Sequence, residues 1–462
     1  MAEIRSPIDG KVAYTYDELS FDQAMKRLAK AESAQREYRA VPLKDRIALL
    51  ERMLDAYRAH LDENAEQITR MMGKPLAHAR AEFERPMSAR VKHLASIAEE
   101  ALRPDVYTDQ PGFARSIERV PVGVVLVIAA WNYPLIVPIN ALAAAVLSGN
   151  SVLVKHAPQT ALVADQLARA FAEAGAPEGL VQALPVDHPT VKQIVDTRRI
   201  GYVSFTGSVR GGHEVYRAVA DQNFIGVGLE LGGKDPAIVL PDCDFDDTVE
   251  NLVDGAFFNA GQSCCAIERI YVDASLHDRF VEAFVAKTKE YVVGNPLDAK
   301  TNLGPVVTSR AAAHIRAQEE DATKKGARSL IPASAFNVPT SSDCYVAPAV
   351  FDRVDHTMEL MTEETFGPAI GIMRVSSEAE AVRLANDSRY GLTASVWTKD
   401  MDRARAVGEK LDAGTVFANR CDYLDPALPW NGVKDSGHGV SLSKLGFLAV
   451  TRPKNYHLRS LS

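Results

Sequence analysis

The sequence of 462 residues holds only five cysteines, an odd number in which Cys264 and Cys265 are adjacent. Such a set argues against the disulfide framework that small secreted domains use. Neither cysteine of the adjacent pair has a histidine or further cysteine at a zinc-like spacing, so we expect no metal site. The expected setting is therefore a reducing one, the cytoplasm.

A basic excess is absent as well, since 52 lysines and arginines face 60 acids and leave a net charge of -8. That balance argues against a nucleic-acid partner, because proteins that bind nucleic acids usually carry a basic face. The first residues, MAEIRSPIDGK, lack the apolar stretch of a signal peptide. The chain is longer than one hydrophobic core usually supports, so we expect two or three domains.

One run without charge, from Val120 to Val154, is long enough to raise the question of a membrane span. Its middle reads AAWNYPLIVPIN, where two prolines and two asparagines interrupt the apolar residues. GVVLVIAA before it and NSVLVK after it have the continuous apolar pattern of strands buried on both faces. The run therefore predicts a strand, a helix that ends at Ser148-Gly149 and a second strand, with no membrane partner.

The rest of the chain alternates between helical and strand patterns. Charged, helix-prone sequence fills residues 18–100, and a strand is predicted for 113–120. Strands and helices then alternate as in a doubly wound α/β domain, and a second α/β set follows Glu230. Residues 326–350 are rich in loops, and the C-terminal PKNYHLRSLS predicts a short strand. We expect two packed α/β halves with a ligand cleft between them.

The glycine pattern G-x-G-x-x-G of common dinucleotide sites is absent from the whole chain. VSFTGSVRGG is instead a glycine-broken junction between a predicted strand and a predicted helix. Backbone N–H groups at such a helix N-terminus suit a pyrophosphate. Alone, this segment is only a weak indication of a cofactor.

Cys264 lies in AGQSCC, a glycine-punctuated segment that follows a helical stretch. A free cysteine is often simply a small buried residue, but a thiol in a tight loop becomes a nucleophile where its surroundings favour the thiolate. Glu230 ends the apolar strand in IGVGLELGG and is a candidate general base, because apolar surroundings raise the pKa of a carboxyl group. A strand-end ion pair between Glu230 and Lys234 is the alternative.

Asn132 follows the first buried strand directly, at the carboxyl edge of the predicted sheet, where ligands bind in open α/β folds. Its side-chain amide is suited to donate a hydrogen bond to a developing oxyanion. A turn asparagine ahead of Tyr133-Pro134 is the ordinary alternative.

Seven segments, in order along nearly the whole chain, resemble the aldehyde dehydrogenase superfamily. Their number, order and spacing are highly specific. The segments are WNYP (131–134), VLVKHAP (152–158), FTGS (205–208), LELGGKDP (229–236), GQSC (261–264), EETFGP (363–368) and PWNGVKDSG (429–437).

The resemblance implies an α/β fold of three parts: a cofactor domain with a variant Rossmann sheet, a catalytic α/β domain and a small oligomerisation flap. In relatives the C-terminal strand joins the sheet of a neighbouring subunit, so we expect a homodimer or homotetramer. The expected bounds are 1–102 and 122–231 for the cofactor domain, 232–448 for the catalytic domain, and 103–121 and 449–462 for the flap.

Roles for single residues also follow from the resemblance. Cys264 falls at the nucleophile position with Cys265 as a bystander, Glu230 at the general base and Asn132 at the oxyanion site. The implied cofactor site comprises Trp131, Lys155 at the adenosine ribose, Gly207 and Ser208 at the pyrophosphate, Gly232, Glu364 at the nicotinamide ribose and Phe366 near the nicotinamide. The substrate channel is expected along Tyr133, Val137, Asn140, Phe258 and Trp430.

The implied reaction oxidises an aldehyde to its carboxylic acid with NAD(P), through a thiohemiacetal and then a thioester on Cys264. Relatives that pass the acyl group to coenzyme A lack the glutamate, so Glu230 favours the class that hydrolyses the thioester. Many NAD-preferring relatives have a glutamate where this chain has Pro158. NAD is the expected cofactor, with measurable use of NADP, and Arg210 is a candidate to hold a 2′-phosphate.

A broad range of aliphatic or aromatic aldehydes is the expected substrate class, and succinate semialdehyde is the alternative. Relatives that oxidise succinate semialdehyde often have an arginine at the position of Asn140, which here only Arg269 or Arg420 could replace. A non-catalytic binding relative is an alternative of another class, and the presence of the predicted nucleophile, base and oxyanion residue disfavours it.

Overall fold

The structure is a computed structural model that describes residues 2–460. As predicted, helices fill most of the first hundred residues, and Ser20 and Gln23 form a capping box at the start of the first one. A π-helical turn at Phe83–Met87 joins the fourth helix to the fifth, because Pro86 has no N–H to continue the helical ladder. The elements of this part are β1 (Ala2–Arg5), β2 (Val12–Tyr16), α1 (Phe21–Tyr38), α2 (Leu43–Ala59), α3 (Leu61–Met72), α4 (Leu76–Glu82), α5 (Ser88–Leu102), β3 (Asp105–Tyr107) and β4 (Phe113–Pro121).

The uncharged run forms the strand, helix and second strand that the sequence predicts, and every residue of both strands is buried. Nothing among residues 2–460 is a helix long and apolar enough to cross a membrane. The first domain continues as β5 (Val124–Ala129), α6 (Ile136–Leu147), β6 (Ser151–His156), α7 (Leu162–Glu173), β7 (Val181–Ala183), α8 (His188–Asp196), β8 (Tyr202–Thr206), α9 (Val209–Gln222) and β9 (Gly226–Glu230).

The second domain is another mixed α/β unit, built around a seven-stranded sheet in the order β12-β13-β14-β11-β10-β15-β16. Its central strands are parallel, as the predicted strand and helix alternation requires. The elements are β10 (Asp235–Val239), α10 (Phe245–Phe257), β11 (Ile267–Asp273), α11 (His277–Thr288), α12 (Ser309–Lys324), β12 (Arg328–Ser329), β13 (Ala349–Asp352), α13 (Glu359–Thr362), β14 (Ala369–Val375), α14 (Glu378–Asn386), β15 (Thr393–Trp397), α15 (Met401–Gly408) and β16 (Thr415–Ala418).

The chain then crosses back to the first sheet through β17 (Gly437–His438) and α16 (Ser443–Ala449). β17 lies antiparallel to β9, so the first sheet has the order β17-β9-β8-β5-β6-β7. The predicted catalytic domain runs to residue 448, but residues 437–449 pack with the cofactor domain. The reason is burial, since Leu442 and Phe447 belong to the same apolar core as α5 and α6.

The three-stranded sheet β18-β4-β3 stands apart and is completed by the C-terminal strand β18 (Thr451–Arg459). Its strands lie within the ranges 103–121 and 449–462 predicted for the oligomerisation flap, of which residues 461 and 462 lie outside the described part. β18 pairs with β4 of its own chain, from Thr451 opposite Pro121 to Arg459 opposite Phe113.

The parallel strands of the first sheet place their carboxyl ends at one edge. The chain order reverses between β5, which continues to β6 and β7 on one side, and β8, which continues to β9 on the other. Ligands of open α/β sheets bind at such a reversal. The WNYP segment follows β5 directly and therefore lies at this edge.

Candidate active site

The segment between α10 and β11 turns sharply ahead of Cys264. Asn259, Ala260 and Gly261 all have left-handed backbone conformations, with φ of 53°, 57° and 69°. A Cβ atom on Gly261 would overlap the backbone of Gly367, so this position requires glycine. The tight loop that the sequence predicts for the sulfur is therefore present.

Asn259 fastens this turn to the first domain. Its Nδ2 donates to the carbonyl oxygen of Asn132 and to that of Gln262, both at 3.2 Å. A Cβ atom on Gly233 would lie 2.8 Å from the carbonyl oxygen of Cys264, which shows how closely the two segments approach. These contacts bring Asn132, Cys264 and the strand that ends in Glu230 to one place.

The two adjacent cysteines have different surroundings. Cys264 is partly exposed, whereas Cys265 is 1% exposed and its Sγ donates to Asp422 Oδ1 at 3.0 Å. A hydrogen bond with Cys264 and burial raise the pKa of Cys265 well above its ordinary value. Cys265 is therefore held as a buried thiol, and Cys264 is the accessible sulfur of the pair.

Glu230 ends β9 and has both carboxyl oxygens hydrogen-bonded. Ser441 Oγ donates to Oε1, and Thr206 Oγ1 donates to Oε2 at 3.2 Å. Burial raises the pKa of Glu230, and these hydrogen bonds oppose the rise. A carboxylate with a raised pKa is a stronger base than an ordinary exposed one.

The alternative ion pair between Glu230 and Lys234 is wrong. Lys234 is fully buried, and its Nζ lies 2.6 Å from Glu268 Oε2 and 2.9 Å from Thr365 Oγ1. The lysine turns into the second domain because its partner there is a buried carboxylate.

Glu364 lies against the glycine pair that follows Glu230. Its Oε1 accepts a hydrogen bond from the backbone N–H of Gly233 at 3.1 Å. A Cβ atom on Gly232 would overlap the same carboxyl group, so a larger residue at 232 would displace the Glu364 side chain. Burial, followed by the charge of Glu268, raises the pKa of Glu364 to about 8.

Phe366 meets Trp131 edge to face, with ring centroids 5.4 Å apart. Glu268 positions this loop, since its carboxylate accepts hydrogen bonds from the backbone N–H groups of Thr365 at 2.8 Å and Phe366 at 2.9 Å. The sequence reasoning missed Glu268. The signal that could have identified it was an acid near the start of β11, ahead of the apolar residues of that strand.

Lys155 lies near the end of β6 and is 3% exposed. Burial lowers its pKa, while the charges of Glu18 and Asp187 act in the opposite direction. Both acids come from outside the predicted motifs, and sequence reasoning missed them. Lys155 forms no ion pair with a carboxylate of residues 2–460, so its ammonium group is free to receive a ligand.

The pyrophosphate site that the sequence predicts lies at the junction between β8 and α9. Ser208 is the N-cap of α9 and accepts the N–H of Gly211 at 3.2 Å. A Cβ atom on Gly207 would lie 2.8 Å from the ring of Phe205, so the turn is close-packed on its inner side. Together with buried Lys155, this helix N-terminus has the chemistry that a dinucleotide needs.

The predicted channel residues divide between two places. Phe258 stacks on His78 with ring centroids 4.5 Å apart, and both line a cavity of about 560 Å³. Tyr133 faces Lys74, whose Nζ lies 4.2 Å from the ring centroid. Val137 lies partly buried in the first turn of α6.

Asn140 and Trp430 lie on the side of Glu230. Asn140 lines a small cavity together with Glu230 and Ser441, and its Oδ1 accepts a hydrogen bond from Arg90 Nη1 at 2.8 Å. Trp430 is buried, and its backbone N–H donates to the carbonyl oxygen of Ser441 at 2.8 Å. Asn140 is thus a neighbour of the candidate base.

Arg269 cannot take the place of an arginine at position 140. Its guanidinium is buried and donates to the carbonyl oxygens of Lys234, Leu384 and Ala385 at 2.8, 3.2 and 2.9 Å. Every one of these acceptors belongs to the second domain. The arginine that does approach Asn140 is Arg90 on α5, which sequence reasoning missed because the two positions are 50 residues apart.

Two α/β domains that meet at an accessible cysteine, with a dinucleotide-type helix N-terminus nearby, define a two-domain cofactor-binding protein. A family model described as the aldehyde dehydrogenase family matches residues 1–456. An aldehyde dehydrogenase of Paenarthrobacter nicotinovorans is 35% identical over 443 residues, which cover 95% of this chain and 96% of the relative.

A succinate-semialdehyde dehydrogenase (NADP(+)) of Deinococcus radiodurans is 35% identical over 452 residues, 97% of this chain and 93% of the relative. The crystal structure of succinic semialdehyde dehydrogenase from Streptococcus pyogenes in complex with NADP+ is similar with a TM-score of 0.94 and 28% identity, covering 99% of this chain and 100% of that one. The chain belongs to the aldehyde dehydrogenase family, and it is an NAD(P)-dependent oxidoreductase that acts on an aldehyde.

Proposed function

We propose that the protein oxidises an aldehyde to the free carboxylic acid, with Cys264 as nucleophile, Glu230 as general base and Asn132 as oxyanion donor. The observation that carries the proposal is that the partly exposed Cys264 shares its cleft with Glu230, a carboxyl group that is hydrogen-bonded on both oxygens and whose pKa is raised by burial. A nucleophile must be reachable, and a base must be able to exchange its proton near neutral pH.

The oxidation begins when the Cys264 thiolate attacks the carbonyl carbon of the aldehyde. The resulting oxyanion accepts hydrogen bonds from the Asn132 side-chain amide and the backbone N–H of Cys264. A bound NAD(P) would supply the acceptor for the hydride that leaves the thiohemiacetal carbon, and Cys264 would then carry the acyl group as a thioester. Trp131 and Phe366, which pack edge to face, are the residues that would hold the nicotinamide.

The thioester is then hydrolysed by water that Glu230 deprotonates. Water adds to the acyl carbon, its proton passes to the carboxylate, and the Cys264 thiolate departs as the carboxylic acid leaves. The hydrogen bonds from Ser441 and Thr206 hold the carboxyl group in place during this exchange. Because this base serves water, the protein is assigned to the hydrolytic class, which does not transfer the acyl group to coenzyme A.

For the substrate we propose a broad range of aliphatic or aromatic aldehydes. The support is the cavity of about 560 Å³, which is lined by the stacked rings of His78 and Phe258. Its charged residues are the acids Glu250, Asp254 and Glu290 and one cation, Lys287, which pairs with Glu250 and Glu290, so acids are in excess. Acids at the wall of a cavity disfavour an anionic substrate. Succinate semialdehyde is the second candidate, because relatives with that activity in their names match nearly the full chain.

For the cofactor we propose NAD, with NADP also used. Pro158 is exposed in the turn after β6 and brings no charge to the site. Lys155 attracts the phosphates of either cofactor, whereas Glu18 and Asp187 lie close enough to Lys155 to influence its pKa and would repel a 2′-phosphate. A relative named for NADP supports the second cofactor.

We propose a homodimer or homotetramer in the cytoplasm. The outlying three-stranded sheet exposes Val106 and Tyr107 on β3 and Leu458 on β18, apolar side chains that a second subunit would cover. The five cysteines are free, as a reducing compartment allows.

The test is the absorbance of the reduced cofactor when the protein is mixed with a panel of aldehydes and either NAD or NADP. We expect turnover with wild type, complete loss in Cys264→Ala and retention of most activity in Cys265→Ala. Equal and total loss in both variants would refute the assignment of the nucleophile. No signal with any aldehyde and either cofactor would instead favour a non-catalytic binding role.

A further inference from the structure

Arg90 is a buried cation for which no direct anionic partner is found. It lies on α5, is 3% exposed and donates to Asn140 Oδ1 at 2.8 Å and to the carbonyl oxygen of Ile136 at 3.3 Å. Its Nε is buried and has no acceptor, and the guanidinium forms no ion pair with any carboxylate in the described part of the chain. A buried charge without a partner is costly, so its retention calls for an explanation.

Four ionisable groups act on Arg90 electrostatically, in the order Glu230, Glu82, Cys265 and Cys264. Glu82 is already satisfied, since Lys74 Nζ lies 2.5 Å from its Oε2. Glu82 Oε1 also accepts the first N–H groups of the α6 region, at 2.8 and 3.1 Å. Cys265 is bound to a carboxylate of its own. The groups that remain for Arg90 are Glu230 and Cys264.

Asn140 connects Arg90 to Glu230 in a defined direction. A guanidinium has only donors, so the amide atom that faces Arg90 must be the oxygen. The NH₂ group of Asn140 is then left to donate on its other side. That side is the small cavity that Asn140 shares with Glu230, where the amide acts to lower the pKa of the glutamate.

We propose that Arg90 acts through Asn140 as a positioning residue that keeps the Glu230 carboxylate ionised and held for the attack of water on the thioester. The inference rests on the proposed function of Glu230 as the general base. Arg90 itself touches neither substrate nor cofactor. The charge of Arg90 and its hydrogen bond to the Asn140 amide determine what fraction of Glu230 is ionised and able to accept a proton from water.

The other groups around Glu230 do not supply this charge. Ser441 and Thr206 are neutral hydroxyl donors. Burial, followed by the charge of Glu230, raises the pKa of the phenol of Tyr202 on β8. Tyr202 therefore stays neutral. His438 on β17 is exposed and lines the same small cavity. The two cysteines approach Arg90 from the loop before β11 and are themselves acids.

The sign of the expected effect follows from this arrangement. Burial raises the pKa of Glu230, and the positive charge of Arg90 lowers it. Without that charge the pKa rises further, so a smaller fraction of Glu230 is ionised at any pH on the acid side. Hydrolysis of the thioester then slows at low pH and recovers once the pH exceeds the new pKa.

The experiment measures steady-state turnover against pH, together with the amplitude of the first burst of reduced cofactor, in Arg90→Gln and Arg90→Lys. We expect the acid limb of the profile to move up by about one pH unit in Arg90→Gln and by less in Arg90→Lys. The burst amplitude should stay at one reduced cofactor per site. Lys92→Gln is the matched control, because it removes a positive charge from the exposed face of the same helix and should leave the profile unchanged.

Asn140→Asp provides a second route if Arg90→Gln does not fold. The new carboxylate pairs with Arg90, so the buried charge is satisfied, but it presents an acceptor to Glu230 instead of an NH₂ donor. The acid limb should again move to higher pH. Lower turnover at every pH without a shift of the limb would mean that Arg90 serves only packing, and would overturn the inference.

The failure of the proposed function looks different. If the Glu230→Gln variant hydrolyses the thioester at the wild-type rate, Glu230 is not the base. That result would overturn both proposals together. A dead Glu230→Gln combined with an unshifted limb in the Arg90 and Asn140 variants would overturn the inference alone.

Discussion

Each of the two sheets brings one glutamate to the cleft, and the two are held in opposite ways. Glu268, in β11 of the second sheet, is buried, lies 2.6 Å from Lys234 Nζ and accepts two backbone N–H groups of the loop that carries Phe366. Glu230, at the end of β9 in the first sheet, is partly exposed, accepts hydrogen bonds from the hydroxyl groups of Ser441 and Thr206, and forms no ion pair within residues 2–460.

The difference assigns the two acids to different tasks. A carboxylate with a lysine in contact and two amide donors fixes the loop that it binds. The Glu230 carboxyl group has no cation in contact and its pKa is raised by burial, so it is the better proton acceptor. Glu268 therefore anchors the loop, and we assign the proposed role of base to Glu230.

The same contrast separates the two buried cations beside α6. Lys74 Nζ lies 2.5 Å from Glu82, whose other oxygen receives the start of α6. Arg90 has no carboxylate in contact among the described residues and reaches Glu230 through Asn140. In each case the paired group holds a helix or loop, and the unpaired one is the group to which we assign a role in the chemistry.

The largest effect is expected when the reactive acid is neutralised. Glu230→Gln keeps the shape of the side chain but removes the base, so the thioester forms and is not hydrolysed. Steady-state turnover should fall by about a thousandfold, the usual range for loss of a general base. A rapid-mixing record should still show one reduced cofactor per active site in the first turnover.

An acyl-enzyme should accumulate in Glu230→Gln, and mass spectrometry of the intact chain would detect it on Cys264. Absence of both the burst and the acyl adduct would show that the glutamate is needed before hydride transfer. A near-normal steady rate would show that another group activates water.

The next effect concerns stability and tests the anchor. Glu268→Gln leaves the buried Lys234 without its carboxylate, which typically costs about 3 kcal/mol or more in the free energy of unfolding. Because burial lowers the pKa of Lys234, the loss should shrink as the pH rises and the lysine becomes neutral. Denaturant unfolding at two pH values measures both quantities.

Glu66→Gln is the control for the anchor, because Glu66 pairs with Arg70 one turn away on the exposed face of α3. A surface pair of this kind should contribute about 0.5 kcal/mol or less. Equal destabilisation by Glu66→Gln and Glu268→Gln would contradict the view that the buried pair fixes the loop.

The sequence was sufficient to predict those parts of the fold that depend on a local pattern of apolar and polar residues. The uncharged run could be assigned to two strands and a helix because buried parallel strands are continuously apolar and proline with asparagine interrupts a spanning helix. The motifs around Cys264 and Glu230 also carried enough specificity to predict the family that the comparisons confirm.

The contacts that distinguish this site are long-range, and for that reason the sequence did not reveal them. Arg90 and Asn140 lie 50 positions apart on two helices. Glu268 and Thr365 are 97 positions apart. β17 returns to the first sheet by pairing with β9. A strand of two residues is too short for its composition to predict that pairing. The sequence indicated which residue types could take part in the chemistry. The residues that they contact depend on how the two domains pack.

The smallest expected effect tests whether a lone buried cation also governs cofactor choice. Lys155 is buried without an ion pair in the described chain, with Glu18 and Asp187 acting on it from a distance. Asp187 is the N-cap of α8 and accepts the N–H of Thr190 at 2.8 Å, so its position is fixed. The cleft thus already holds acids, although Pro158 supplies none.

Pro158→Glu adds a carboxylate to the turn after β6, and it should weaken NADP more than NAD because only NADP carries a 2′-phosphate. Two unit charges 4 Å apart at an effective dielectric constant near 20 interact by about 4 kcal/mol, and solvent at this exposed position reduces that value. A tenfold change in the ratio of the two affinities requires only about 1.4 kcal/mol. We therefore expect at least a tenfold change, measured by fluorescence titration of each cofactor. Pro158→Gln controls for the loss of the proline ring. An unchanged ratio in Pro158→Glu would mean that residue 158 does not face the adenosine ribose.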